Sequence, residues 1–376
     1  MVMKKLLVLL LALSLILTAS GAALAAGKVG VSMPTQSLQR WNQDGANLKA
    51  QLEAAGYEVD LQFGGNNEVA LQVSQIENMI LGGCEVLIIA AIDGFSLGTV
   101  LADAKEQGVQ VIAYDRLIMD TDAVSYYTTF DNWGVGVYQG TYVRDQLDLD
   151  NAMIPEWLTL ARYKPLRDQF GIEEPPFNIE LFTGDPGDNN IHFFFGGAME
   201  ILQPYIDSGK LVVPSGQTTW QQVATPDWLS ANAQRRMEDI ITSVGYGPDG
   251  VPLHAVMCSN DSTAQGVVQA LLGAGYTADN FPIVTGQDCD MASVKNMIAG
   301  YQSMSVFKDT RILANRAVQM VDSILKGGLP EINNTTDYDN GTGVVPTYLC
   351  ELVLGTPNNW MELLIESGYY TLDQIL

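Results

Sequence analysis

The sequence predicts an α/β protein made of two doubly wound parallel-sheet lobes, and three observations predict it. Short β-branched runs alternate with helix-spaced segments along the chain; the runs are apolar throughout, as strands covered by helices on both faces are; and the alternation starts afresh near residue 177 after a stretch with no clear strand. A mature chain of about 350 residues also exceeds what one compact core usually serves.

Residues 1–26 begin the chain with Lys4 and Lys5, continue through an apolar run and end in the small-residue pattern Ala23-Leu24-Ala25. This reads as a secretory signal peptide cleaved after Ala25 or Ala26, so a periplasmic or extracellular protein is expected. No cysteine follows the apolar run for a lipid anchor, and no later segment reaches the roughly 18 apolar residues of a membrane span. "KVGVSM" is the first strand, followed by a helical stretch near 40–55 that ends at Gly56. "YEVDLQF" precedes "VALQVSQIENMILGG", where Val69, Val73, Ile76, Met79 and Ile80 have helical spacing. "CEVLIIAA", "SLGTVLADAKEQG" and "VQVIAYD" complete the first set, with Gly56, Gly82 and Gly108 read as left-handed helix caps. In the second set "FNIELFTG", "KLVVPSG", "LHAVMCSN" and "FPIVTGQD" read as strands, with helices near 192–207, 229–243, 262–273 and 291–299. Residues 148–176, between the sets, read as a surface insertion.

The formal charge is -24, from 43 Asp+Glu against 19 Lys+Arg, which argues against nucleic acid or an anionic membrane as partner. A hydrophobic content of 47% with 16% charged residues is that of a folded chain, not of an acidic tail. Cys84, Cys258, Cys289 and Cys350 are too scattered for a disulfide scaffold and have no C-x-x-C spacing for zinc. One disulfide or none fits export, and the sequence does not choose.

Ligands of open α/β sheets bind outside the carboxyl ends of the strands. The residues there are Arg40 and Trp41, Asp93, Asp115 and Arg116, then Asn190, Trp228, Asn260 and Asp261, Asp288, and Lys308. They are carboxylates, amides, cations and indoles, with no nucleophile and base pair among them. Such a mixture suits a sugar, whose hydroxyls both donate and accept and whose C–H face packs flat on an indole. Each piece has a plainer alternative. Asp93 fits a turn or helix cap, Asp131 an interdomain hinge, and "GDPGDNN" a turn lacking both P-loop and EF-hand spacing. His192 and His254 have no acid or nucleophile nearby in sequence, so no catalytic and no metal site is expected.

Taken together, "MPTQSLQRWNQDG", "VLIIAAIDG", "VIAYDRLI", "YYTTFDNWGVG", "FNIELFTGDPGDNN", "SNDSTAQG", "VTGQDCD" and "FKDTRILA" resemble the type I periplasmic sugar-binding proteins of ABC transporters. Within them the resemblance is to the multiple-monosaccharide and xylose-binding branch. It implies that Arg40 and Trp41 are a cation and an aromatic plate, and Asp115 and Arg116 a hydroxyl-binding pair. Trp228 would be the second plate, and Asn190, Asn260, Asp261, Asp288 and Lys308 the polar contacts of the second lobe. It also implies three crossings between lobes: residues 27–131 and 309–336 form the N-terminal lobe, and 132–308 and 337–376 the C-terminal lobe. The expected protein is a monomer without cofactor that closes on a pentose or hexose and is recognised by a membrane permease, or in some cases by a chemoreceptor. The insertion, the cysteines beside contact residues and Trp220 depart from the pattern. The alternatives are a glycoside hydrolase using Asp115 and Asp288, a sugar-responsive regulator, which the signal peptide and the charge argue against, and a sensor of a sugar or another small polar ligand that serves a chemoreceptor or signalling system.

Overall fold

The computed structural model describes residues 27–150 and 175–376. Residues 1–26, expected to be a signal peptide, and residues 151–174 of the expected 148–176 insertion lie outside the described residues. The first sheet takes β1 (Lys28–Met33), β2 (Glu58–Phe63), β3 (Val86–Ile89), β4 (Gln110–Tyr114) and β5 (Tyr126–Phe130), separated by α1 (Gln39–Ala54), α2 (Val69–Leu81) and α3 (Gly98–Glu106). Its strand pairs are all parallel.

Residue parity in the strands decides the layers. Val29, Val31, Met33, Val86 and Ile88 join α1 on one face, whereas Leu87, Ile89, Val111 and Ala113 join α2 and α3 on the other. The helix after β2 is capped differently from expectation. Gly82 keeps a right-handed φ of -74°, and the left-handed turn is made by Gly83 at φ 80°.

The second lobe begins with α4 (Asn132–Gln146) and builds a sheet from β6 (Phe177–Phe182), β7 (Leu211–Val212), β8 (Ala255–Cys258) and β9 (Ile283–Val284), in the order β7-β6-β8-β9. Its helices are α5 (Asn190–Asp207), α6 (Ser230–Val244), α7 (Asp261–Gly273) and α8 (Met291–Ala299). Beyond β9 the chain bridges in parallel to β10 (Ser305–Phe307) through Gln287 and Val306, and β10 pairs antiparallel with β12 (Val353–Gly355).

The last crossing overturns an expected boundary. Helix α9 (Thr310–Leu325) packs on α1, and β11 (Thr347–Cys350) then pairs in parallel with β5, at the edge of the first sheet. Residues 337–350 therefore belong to the first lobe, not the second, and the chain crosses back after Cys350. The physical reason is a bare edge: β5 would otherwise present unpaired backbone groups. The polar segment before β11 is tied to the same lobe, with Asn340 donating to the carbonyls of Ile118 (3.1 Å) and Thr121 (2.8 Å).

Candidate functional site

The carboxyl ends of both sheets face one another, and the first lobe contributes a guanidinium held in place by three carboxylates. Arg40, near the start of α1, donates from Nε to Asp44 (3.1 Å), from Nη1 to Asp288 (2.9 Å) and from Nη2 to Asp115 (2.5 Å). Asp288 belongs to the other lobe, so this fork spans the cleft. Asp115 sits at the end of β4 with φ 60°, a left-handed conformation that costs on the order of 1–3 kcal/mol and persists where the surroundings impose it. Here its carbonyl accepts from Tyr127 Oη (2.6 Å), Thr129 Oγ1 (3.0 Å) and Asn190 Nδ2 (2.8 Å). The next residue, Arg116, donates to the carbonyl of Ala91 (2.9 Å) and places its guanidinium carbon 4.9 Å from the Trp41 ring centre. Its Nε is 3.1 Å from Asp188 Oδ2 but poorly aligned for a hydrogen bond, so that contact is one of charge.

From the second lobe, Trp228 donates its indole N–H to Asp188 (3.2 Å), and Ser262 donates to the Trp228 carbonyl. Asn190 opens α5 and is gripped by Asn132, whose Nδ2 donates to its Oδ1 (2.9 Å). Lys308, 1% exposed, donates to Asn132 Oδ1 (3.2 Å), with Nζ 4.8 Å from the Phe194 ring centre. Asp288 and Cys289 form a second left-handed turn, with φ 98° and 52°. It presents Gln287 and Asp290 to the cleft, each with one buried oxygen, Gln287 Oε1 and Asp290 Oδ1, that has no partner. These side chains surround a small cavity of about 40 Å³ between the lobes.

A family model described as the periplasmic binding protein domain matches residues 29–329. The chain belongs to the periplasmic binding protein family. It is 46% identical to the multiple sugar-binding periplasmic protein SbpA of Azospirillum brasilense, over 91% of this chain and 89% of that one. Identity to the D-xylose-binding periplasmic protein of Escherichia coli is 33%, over 95% of both. An ABC transporter solute-binding protein from Clostridium phytofermentans, solved with bound β-D-glucose, is 56% identical at a TM-score of 0.84, covering 93% of this chain and 100% of that one. A carbohydrate transporter solute-binding protein from Chloroflexus aurantiacus, solved with D-glucose, gives 32% identity and a TM-score of 0.77 over 92% and 97%. The multiple-sugar and D-xylose relatives place the chain in the multiple-sugar and xylose-binding branch of that family.

In this binding protein Arg40, Trp41, Asp115, Arg116, Asn190, Trp228, Asn260, Asp288 and Lys308 all line the cavity. Asp261 does not, which corrects the expectation that it faces a ligand. It is fully buried behind the wall, accepting from the Asp290 amide (2.8 Å), Gln302 Nε2 (2.8 Å) and Ser305 Oγ (2.9 Å). Being first in α7, it points under the Asp288 turn and braces it. Asp93 also lies outside the main cavity: it lines an adjoining recess with Arg116 and Trp228 and accepts from the Phe95 amide (2.8 Å), as a turn residue does. Asp131 caps α4 by accepting from the Gly134 amide (2.9 Å).

The sequence reading missed Asp188, Phe194, Gln287 and Asp290. Asp188 and Asp290 each stand two residues from a residue it named, in "DNN" and "DCD", and Phe194 is one helical turn beyond Asn190. Trp220 lies behind the site, edge-on to His192 at 4.8 Å, and His254 accepts from the Asn178 amide (2.8 Å). All four cysteines are buried free thiols. Among the described residues no group of three His, Cys, Asp or Glu side chains could hold a metal.

Charge in the cavity is interleaved. Burial works against ionisation of Asp115, but Arg40, Lys308 and Arg116 outweigh it and hold the carboxyl below its ordinary range. Burial lowers the Lys308 pKa to about 8 against the pull of Asp115. Burial and the Asp288 charge push Asp290 up toward neutrality, with Arg40 opposing. Donors and acceptors thus alternate around the cavity wall.

Proposed function

We propose that this chain is the exported, non-catalytic binding component of an ABC sugar importer, which encloses one aldose between its lobes and presents the closed form to a membrane permease. One observation carries the reading: Arg40, Arg116 and Lys308 alternate with Asp115, Asp188, Asp288 and Asp290 in a cavity also lined by the indoles of Trp41 and Trp228. Hydroxyls that donate and accept match such a wall, and a missing or inverted hydroxyl leaves a buried partner unpaired. Relatives named for multiple sugars and D-xylose, and two solved with glucose, support an aldose as the ligand. Binding without chemistry is supported by the two carboxylates a hydrolase would need. Asp115 and Asp288 are both bonded to Arg40, and Asp115 is held below the range of a proton donor. The sensor alternative has no observation in its favour. Residues 1–26 serve, in this reading, as the export signal.

Titration of refolded, ligand-free protein with D-glucose and D-xylose tests the proposal. Tryptophan fluorescence and calorimetry are expected to give micromolar or tighter binding of at least one. No response to either sugar in both measurements would overturn it.

A further inference from the structure

The C-terminal segment reaches the site from outside the cavity. After Cys350 the chain returns to the second lobe, where Leu364, Tyr370 and Ile375 pack with Cys289, Val294, Met297 and Phe307 in one apolar cluster. Tyr370 is 4% exposed and turns its hydroxyl toward the first lobe. There Gln39 Nε2 (2.7 Å) and Gln43 Nε2 (3.2 Å) donate to it, and it donates in turn to the carbonyl of Cys289 (3.1 Å). Gln39 completes a second link: its Oε1 accepts from the amide of Met291 (3.2 Å). Burial holds the phenol far above its ordinary pKa, so it remains a donor.

The sequence positions give this contact its meaning. Gln39 immediately precedes Arg40, and Cys289 stands between Asp288 and Asp290. One hydroxyl therefore joins the start of helix α1, which carries the cross-cleft guanidinium, to the turn carrying two of the carboxylates around it. That second turn holds two left-handed non-glycine residues, a conformation kept only where neighbours over-determine it. Within the second lobe it is held by Val306 accepting from the Asp288 amide (2.8 Å) and Ser305 Oγ accepting from the Cys289 amide (3.0 Å). Tyr370 and Gln39 add restraints that cross the lobe boundary.

We infer that Tyr370 is a positioning residue, which with Gln39 fixes the Asp288–Asp290 turn against the start of α1 and so keeps the lobes shut on the ligand. The inference rests on the cleft being the ligand site, as proposed above. Tyr370→Phe removes one hydroxyl and leaves the ring in its apolar cluster, and Gln39→Ala removes the partner from the other lobe. Stopped-flow release of D-glucose or D-xylose is expected to be about five- to tenfold faster in each variant, with association little changed, and the double variant no faster than either single. Amide exchange at Met291 in the sugar-loaded protein should quicken in Tyr370→Phe while the ligand-free unfolding midpoint stays put. Unchanged release and exchange in both variants would overturn the inference, as would a lowered ligand-free midpoint with unchanged release, which marks a mere brace. If the wild type binds neither sugar, the functional proposal falls instead, and Met291 exchange in the ligand-free protein judges the positioning role, unchanged rates overturning it.

Discussion

Trp228 owes its place to an absent side chain. A Cβ on Gly184, which follows β6, would stand 2.0 Å from the Trp228 ring, so only glycine leaves room for the indole. Trp228 itself has φ 56°, which ties ring and backbone to one arrangement. Gly184→Ala is expected to push the ring off the cavity wall and weaken sugar binding roughly two- to tenfold, by the usual worth of an aromatic contact. Calorimetry, with circular dichroism to check the fold, measures this, and wild-type affinity would mean the ring is no part of the ligand wall. The same dependence on distant residues explains what the sequence reveals of the site. Arg40, Trp41, Asp115 and Lys308 are legible because they follow strands, and the segments beyond the strands' carboxyl ends face the cleft. Asp261 also follows a strand, yet its side chain turns under the Asp288 turn. Asp188 and Asp290 lie on irregular loops whose direction no periodicity encodes.

Helices α4 and α5 pack closely in the second lobe, and glycines make this possible. A Cβ on Gly136 would meet the Phe194 carbonyl oxygen at 2.1 Å, and one on Gly197 the Trp133 carbonyl oxygen at 2.2 Å. Both obstacles are backbone, so neither can swing aside. Gly136→Ala is expected to cost about 1–3 kcal/mol by overpacking, read as a lower urea midpoint. It should also weaken sugar binding, because α5 carries Asn190 and Phe194 into the cavity; an unchanged midpoint would refute the packing argument. At this scale the chain is largely legible. Apolar runs such as Val86–Ile89 announce strands covered on both faces, and helix spacing announces what covers them. The destination of β11 is not legible. "VVPTYLC" reads as a strand in either lobe, and only the bare edge of β5 decides between them.

For the whole molecule, the groups packed where the lobes meet set a pH dependence whose sign can be worked out. Asp44 is fully buried facing Arg40, Tyr114 and Asp115; burial and the Asp115 charge raise its pKa from 3.8 to about 7, against the pull of Arg40. Asp290, facing Asp288, Asp261 and Arg40, is raised in the same direction. A carboxyl with a raised folded pKa binds its proton more tightly when folded, so stability falls as pH climbs from about 4 toward 7. Lys308 acts in another window: its pKa is about 8 folded against 10.5 ordinarily, so stability rises again as pH passes from about 8 upward. His192, exposed and lowered, opposes the first trend, as one group against Asp44, Asp188, Asp261 and Asp290. Protonation also relieves the repulsion of a chain at -24. The ligand-free protein is therefore expected to be more stable near pH 5 than near pH 7.5, by on the order of a few kcal/mol, with its minimum between the two windows. Asp290→Asn keeps the shape and drops the charge, so it should raise the urea midpoint near pH 7.5 and leave it almost unchanged near pH 5. Equal midpoints for wild type at both values, or an equal gain from Asp290→Asn at both, would mean that these carboxyls ionise as freely in the closed protein as in the unfolded chain.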